Sequence, residues 1–183
     1  MLDECNVIAV FGISGVGKST LIEGFIKDHP EYTHIQAGTL IRQALKNVPR
    51  DKLRIADTDT IIKNQYLLID EFWKEVKEHS YSSIIFDGHS IIDTDTTVVE
   101  VPADIIKSLK PCKIIFIEDD PQQITNRRTQ DTSRNRPDLS ADNVKDHQEK
   151  ARNQAVIYAS QIGIPFFQIQ SGQLSAFAHC IFP

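Results

Sequence analysis

The residues Gly12 to Ser19 read GISGVGKS, a complete G-x-x-x-x-G-K-[ST] phosphate-binding loop. An apolar run, Val7 to Phe11, enters it, and an amphipathic stretch from Lys18 to Asp28 leaves it, giving the strand–loop–helix setting this motif requires. Glycines let successive backbone N–H groups turn toward a polyphosphate, and the helix N-terminus adds the positive end of its dipole. Gly12, Ser14, Gly15, Val16, Gly17, Lys18, Ser19 and Thr20 are the expected triphosphate-binding set. Lys18 is expected to face solvent and reach the β- and γ-phosphates, and the Ser19 hydroxyl to ligate Mg²⁺.

The rest of the chain reads as one α/β unit around that loop. Short apolar runs recur at Val7–Phe11, Tyr32–Gln36, Ser83–Phe86, Lys113–Ile117 and Pro165–Ile169, with helical patterns between them. Such alternation predicts a three-layer α/β/α fold on a five-stranded parallel sheet. From Asp57 to His79 the residues Ile62, Tyr66, Ile69, Trp73 and Val76 are spaced as one face of a long helix. Asp120–Pro121 reads as an N-cap and first helical residue, and Ser140 as the cap of a helix ending at Gly163. That last helix is expected to turn Val144, Ala151, Ala155, Tyr158 and Ile162 inward. Two stretches leave this frame. A mostly helical excursion from about Gly38 to His79 and a polar segment from Thr129 to Asp142 are both expected to lie over the ligand site, within a single domain spanning residues 1–183.

Bulk properties narrow the setting. With 183 residues, 40% hydrophobic and 25% charged, the chain can build one respectable core. A net charge of −5 argues against a general nucleic-acid partner. Three cysteines, Cys5, Cys112 and Cys180, form no metal or disulfide spacing, which predicts a reducing cytoplasm; Cys112 reads as a packed strand residue. No signal peptide is expected at the N-terminus, and no apolar run is long enough to span a bilayer.

Charged residues mark the candidate chemistry. Of eight arginines, Arg127, Arg128, Arg134 and Arg136 fall within ten residues of a polar segment. Guanidinium groups grip phosphates in a bidentate manner, so this segment reads as a lid closing over polyphosphate, against the plainer reading of a solvated loop. Arg42, Arg50 and Arg54 form a second set, which suggests two phosphorylated ligands, a donor and an acceptor. Asp87 ends the third strand, where an acid points into the ligand crevice of an open α/β sheet. It is expected to hold Mg²⁺ or to act as a base, with Gly88 behind it allowing a ligand close. Glu118–Asp119–Asp120 competes for that role but reads better as helix capping. His89 is a candidate to orient a phosphate or base, against the structural hydrogen-bonding role usual for a lone histidine.

Taken together these residues resemble the adenylate kinases, most closely the archaeal type. The resemblance is carried by the loop, by Ala37-Gly38-Thr39-Leu40-Ile41-Arg42, and by Phe86-Asp87-Gly88-His89-Ser90. Most specific is the run from Arg127-Arg128 through Thr132-Ser133-Arg134-Asn135-Arg136, His147-Gln148-Glu149 and Arg152 to Tyr158-Ala159. It implies a P-loop kinase fold with a helical acceptor-binding insert and a short lid, converting ATP and AMP to two ADP with Mg²⁺. Gly38, Thr39, Arg42, Asp87 and His89 would then meet the acceptor, and Lys18, Arg128, Arg134, Arg136 and Arg152 the transferring phosphoryl group. A homo-oligomer is left open. Departures lie at Gly88, which is Thr in the archaeal pattern, and between Asp93 and Val101. The rivals are a kinase of a nucleoside or other hydroxyl acceptor, and a nucleotide-dependent ATPase switch.

Overall fold

The computed structural model describes residues 6–46, 57–94, 97–131 and 140–182. Its centre is β1 (Asn6–Phe11), whose residues Val7 to Phe11 are all fully buried. A strand buried on both faces must be flanked by strands and covered by two helical layers. It pairs in parallel with β3 (Ser83–Asp87) on one side and β6 (Pro111–Glu118) on the other. Outside these lie β2 (Tyr32–Gln36) and β7 (Phe166–Gln170), giving a five-stranded parallel sheet in the order β2-β3-β1-β6-β7. The expected strands are present, each within about two residues of its expected bounds.

Helix α1 (Lys18–Asp28) packs with α7 (Leu174–Ile181) to form one layer. On the other face, Phe11 meets Tyr158 of α6 (Ala141–Ile162), and Phe86 meets Phe72 of α3 (Thr58–His79) edge-on. The caps read from sequence are made: Asp120 and Ser140 accept from the backbone N–H three residues on, and Gly163 takes the left-handed conformation at the end of α6. Asp57, not read as a cap, caps α3 in the same way. Helix α2 (Ala37–Ala44) follows β2 directly and packs on α3, while α5 (Pro121–Gln130) follows β6. No helix among the described residues is long and apolar enough to cross a membrane.

Several expectations are corrected. The buried ladder of α3 is Ile61, Leu68, Phe72 and Val76, with Tyr66 exposed and Ile62, Ile69 and Trp73 only half-buried. The doublets Ile61–Ile62, Leu68–Ile69 and Phe72–Trp73 offer two adjacent apolar faces, and contact between Phe72 and Phe86 selects the first. Sequence reasoning also missed an antiparallel hairpin, β4 (Ile91–Asp93) with β5 (Val98–Glu100), followed by the short helix α4 (Ala103–Ser108). The Tyr158 hydroxyl pins this hairpin by reaching the carbonyls of Ser90 and Val101. Cys112 lies on β6 but is exposed, its thiol donating to Asn6.

Candidate active site

The C-terminal ends of β1, β3 and β2 converge, and the register places Val10, Asp87 and Gln36 side by side. The loop leaves β1 at this point. At Gly12 a Cβ would lie 2.5 Å from the Ile117 carbonyl oxygen, and at Gly15 (φ +84°) one would lie 2.9 Å from Arg128 Cγ, so the loop's path admits only glycine there. Helix α1 starts behind the loop with no side-chain cap and no acid in its first turn. Its N-terminal N–H groups therefore stay available to an anion.

Lys18 is not solvent-facing, contrary to expectation: it is 6% exposed. Its ammonium donates to the Gly12 carbonyl at 2.7 Å and lies 3.9 Å from Asp87 Oδ1. A buried ammonium is tolerated only with such partners. Asp87 is 8% exposed, and its other oxygen accepts from Ser19 Oγ at 2.8 Å and from His34 Nε2 at 3.3 Å. Burial alone raises the Asp87 carboxyl. The Lys18 ammonium, the His34 hydrogen bond, nearby His89 and the Ser19 hydroxyl outweigh it and hold the group well below the usual carboxylate range. His89 Nδ1 lies 2.9 Å from the Gly12 carbonyl, which can only accept, so that nitrogen carries the hydrogen. Enclosure and the Lys18 ammonium depress His89 below the ordinary imidazole value, leaving a neutral ring with Nε2 as acceptor.

Ser14, Gly15, Gly17, Lys18, Ser19 and Thr20 line an open cleft of about 550 Å³. Gly12 and Val16 do not: Gly12 supplies the carbonyl beneath the loop, and Val16 is in the core. Beyond Asp87 and His89 the cleft continues between α2, α3 and the hairpin, reaching Gly38, Asn64, Gln65 and Asp93. Thr39 is not part of it; that side chain lines a separate cavity of about 210 Å³ beside His34 and Tyr81, because one step along α2 turns it away from Gly38. Arg42 does not line the cleft either. Arg50, Arg54, Arg134 and Arg136 lie outside the described residues, as does most of the segment expected to form the lid.

The arginines of α5 act on the loop itself. Arg127 Nη1 donates to the carbonyls of Gly15 and Val16 while Nη2 pairs with Asp119, and Arg128 Nε donates to the Ser14 carbonyl at 2.9 Å. Both also border the cleft. Arg152 instead pairs with Glu118 at 3.4 Å and is absent from the cleft wall. Glu118 and Asp119 thus anchor arginines rather than cap α5, a role that falls to Asp120. The α6 residue that reaches the cleft is His147, buried near Asp93. Gly88 lines the cleft and also serves packing, since a Cβ there would meet the Phe86 and Phe11 rings at 2.7 and 3.2 Å. Sequence reasoning missed His34, although it lies two residues before the end of β2 and so shares the face of Gln36 and Asp87.

A phosphate loop at the end of a central parallel strand, with a carboxylate ending the neighbouring strand, defines a P-loop kinase fold. By sequence, residues 11–145 match the family described as AAA domain, and the chain belongs to that family. It is similar to the adenylate kinase of Methanopyrus kandleri, with 28% identity over 163 residues, 86% of this chain and 84% of the relative. Against the adenylate kinase of Pyrococcus furiosus the identity is 29% over 159 residues, covering 84% and 80%. The expected resemblance to archaeal adenylate kinases therefore holds. Among solved structures, shikimate kinase from Bacteroides thetaiotaomicron shares the fold at a TM-score of 0.51 and 16% identity, covering 88% of this chain and 86% of its own. An uncharacterized protein from Eubacterium ventriosum does so at 0.52 and 12%, covering 98% and 97%.

Proposed function

We propose that the protein transfers the γ-phosphoryl group of ATP to a nucleoside monophosphate, with AMP the preferred acceptor. The observation that carries this reading is the continuity of the cleft from the loop, past Asp87, into a second compartment under α2 and α3. A donor loop opening onto a separate acceptor compartment suits transfer between two ligands better than hydrolysis. Similarity to adenylate kinases supports the choice of acceptor.

The roles follow from position. Backbone N–H groups of the loop and α1 would hold the β- and γ-phosphates, with Lys18 swinging from Gly12 toward them. Ser19 and Asp87 present oxygen donors in contact with each other, a fit for a Mg²⁺ ion that keeps most of its water. Mg²⁺ there would neutralise phosphate charge during transfer. Arg127 and Arg128 would set the loop's shape and add positive charge beside it. Residues near 38–79 would form the acceptor insert and 129–142 the lid, with Arg134 and Arg136 supplying transition-state charge. Arg42, Thr39 and Arg152 would reach a ligand only after rearrangement.

A hydroxyl acceptor needs a general base of suitable pKa. Asp87 is poorly suited, because both its oxygens are engaged by donors and its carboxyl is strongly acidic. An anionic phosphate acceptor needs no base. The deciding experiment measures ATP consumption against a panel of nucleoside monophosphates and nucleosides, with products identified by mass. ADP formed in equal amount from ATP and AMP is the expected result. Turnover only with nucleosides, or hydrolysis indifferent to every monophosphate, would overturn the proposal.

A further inference from the structure

The buried ladder of α3 contains one residue that does not belong to a core. Between Ile61 and Leu68 stands Asn64, 8% exposed, on the face that carries Phe72 and Val76. Its carboxamide makes no hydrogen bond among the described residues, yet it borders the cleft. Its amide atoms are not sealed from the cleft, and a leucine at this position would continue the apolar ladder. A polar group on the core-facing side of α3 whose amide opens onto the cleft is poised for something that enters it.

Its surroundings restrict what that is. The acceptor compartment is walled by Ile41, Ile61, Leu68, Ile91, Ile105 and Ile106. Among the described residues that line the cleft, the cationic side chains, Lys18, Arg127 and Arg128, sit at the loop end. A polyol would need many hydrogen-bonding groups along these walls, and the acceptor's phosphate would lie at the loop end beside these cations, leaving the apolar part for the rest of the acceptor. A flat heteroaromatic ring needs apolar surface on its faces and one donor–acceptor pair at its edge. A carboxamide offers that pair, complementary to the adjacent amino donor and ring-nitrogen acceptor of adenine.

We propose that Asn64 is the residue that selects the acceptor, reading the edge of an adenine base held between the apolar walls of α2, α3 and α4. The assignment rests on the nucleoside monophosphate reading above. Gln65, one residue on and also bordering the cleft, is placed to assist.

Two variants test it. Asn64→Leu removes the pair and completes the ladder, so Tm should rise. KM for AMP should rise about tenfold or more, and the preference for AMP over GMP, CMP and UMP should shrink by a similar factor. Asn64→Asp keeps the shape but only accepts, so preference should move toward GMP, whose base edge presents two neighbouring donors. Unchanged selectivity ratios in both variants would overturn the assignment, as would a fall in Tm for Asn64→Leu, the mark of a structural amide. If the unmodified protein phosphorylates no nucleoside monophosphate, the underlying functional reading fails instead, a result visible before any variant is made.

Discussion

Lys18→Met keeps the aliphatic stem of the loop lysine and deletes its charge, which tests both the chemistry of the site and its electrostatic construction. At 3.9 Å, with an effective dielectric constant of about 20, the attraction between Lys18 and Asp87 is about 4 kcal/mol before desolvation is subtracted. Removing one partner strands the other charge, but Asp87 keeps its hydrogen bonds from Ser19 and His34. We therefore expect a loss of about 1–3 kcal/mol, below the roughly 3–5 kcal/mol usual for broken buried pairs. At this chain length each kcal/mol corresponds to about 2–4 °C in Tm. Phosphoryl transfer should fall on the order of a hundredfold or more.

The pH dependence separates this account from simple damage to the loop. In the unaltered protein the folded carboxyl of Asp87 lies below its unfolded value of about 3.9, so its contribution is complete above about pH 5. That contribution is lost as pH falls through the folded value. Without Lys18, burial is opposed by fewer partners and the carboxyl titrates higher, so mild acid neutralises it and relieves the penalty. The Tm gap between the two proteins should be widest near pH 7 and close toward pH 4 in a calorimetric series. A gap that stays constant across that range would refute the electrostatic reasoning, and near-normal transfer by Lys18→Met would refute the donor-loop role.

Two further perturbations probe elements that act on the site from outside it. Arg127→Met removes a guanidinium that binds the Gly15 and Val16 carbonyls; nucleotide affinity by titration calorimetry should drop about tenfold, or about 1.4 kcal/mol, with an unchanged Kd counting against a loop-setting role. Tyr158→Phe strips the hydroxyl from a fully buried ring and leaves the Ser90 and Val101 carbonyls without it. A cost of about 1–3 kcal/mol is expected, with faster amide exchange confined at first to the hairpin.

The sheet was legible in the sequence because buried parallel strands are written as short continuous apolar runs, and β1, with Val7 to Phe11 all buried, is the clearest case. Two helix caps were legible for a similarly local reason: Asp120 and Ser140 bond three residues ahead. What escaped depends on contacts distant in sequence. Tyr158 reaches 68 residues back to fix the hairpin, and Arg127 reaches more than a hundred residues back to grip the loop. Spacing picked the face of Ile62, Ile69 and Trp73 on α3, while the packing of Phe72 on Phe86 buries the adjacent one.

The same distinction governs which site residues could be read. The loop announces itself because its geometry demands glycine and lysine at fixed offsets, whatever the rest of the chain does. Partner selection is different: it requires a polar group where the fold would prefer an apolar one, and this is recognisable only once the preferred face is known. On the face first read from spacing, Asn64 is an ordinary polar residue pointing away. On the face the packing selects, it interrupts a row of Ile61, Leu68, Phe72 and Val76. A polar group at such a position, opening onto a cleft that also holds a phosphate loop, has a ligand as its natural explanation. On this proposal the cationic end of the cleft would handle phosphate, while Asn64 would read the base of the acceptor.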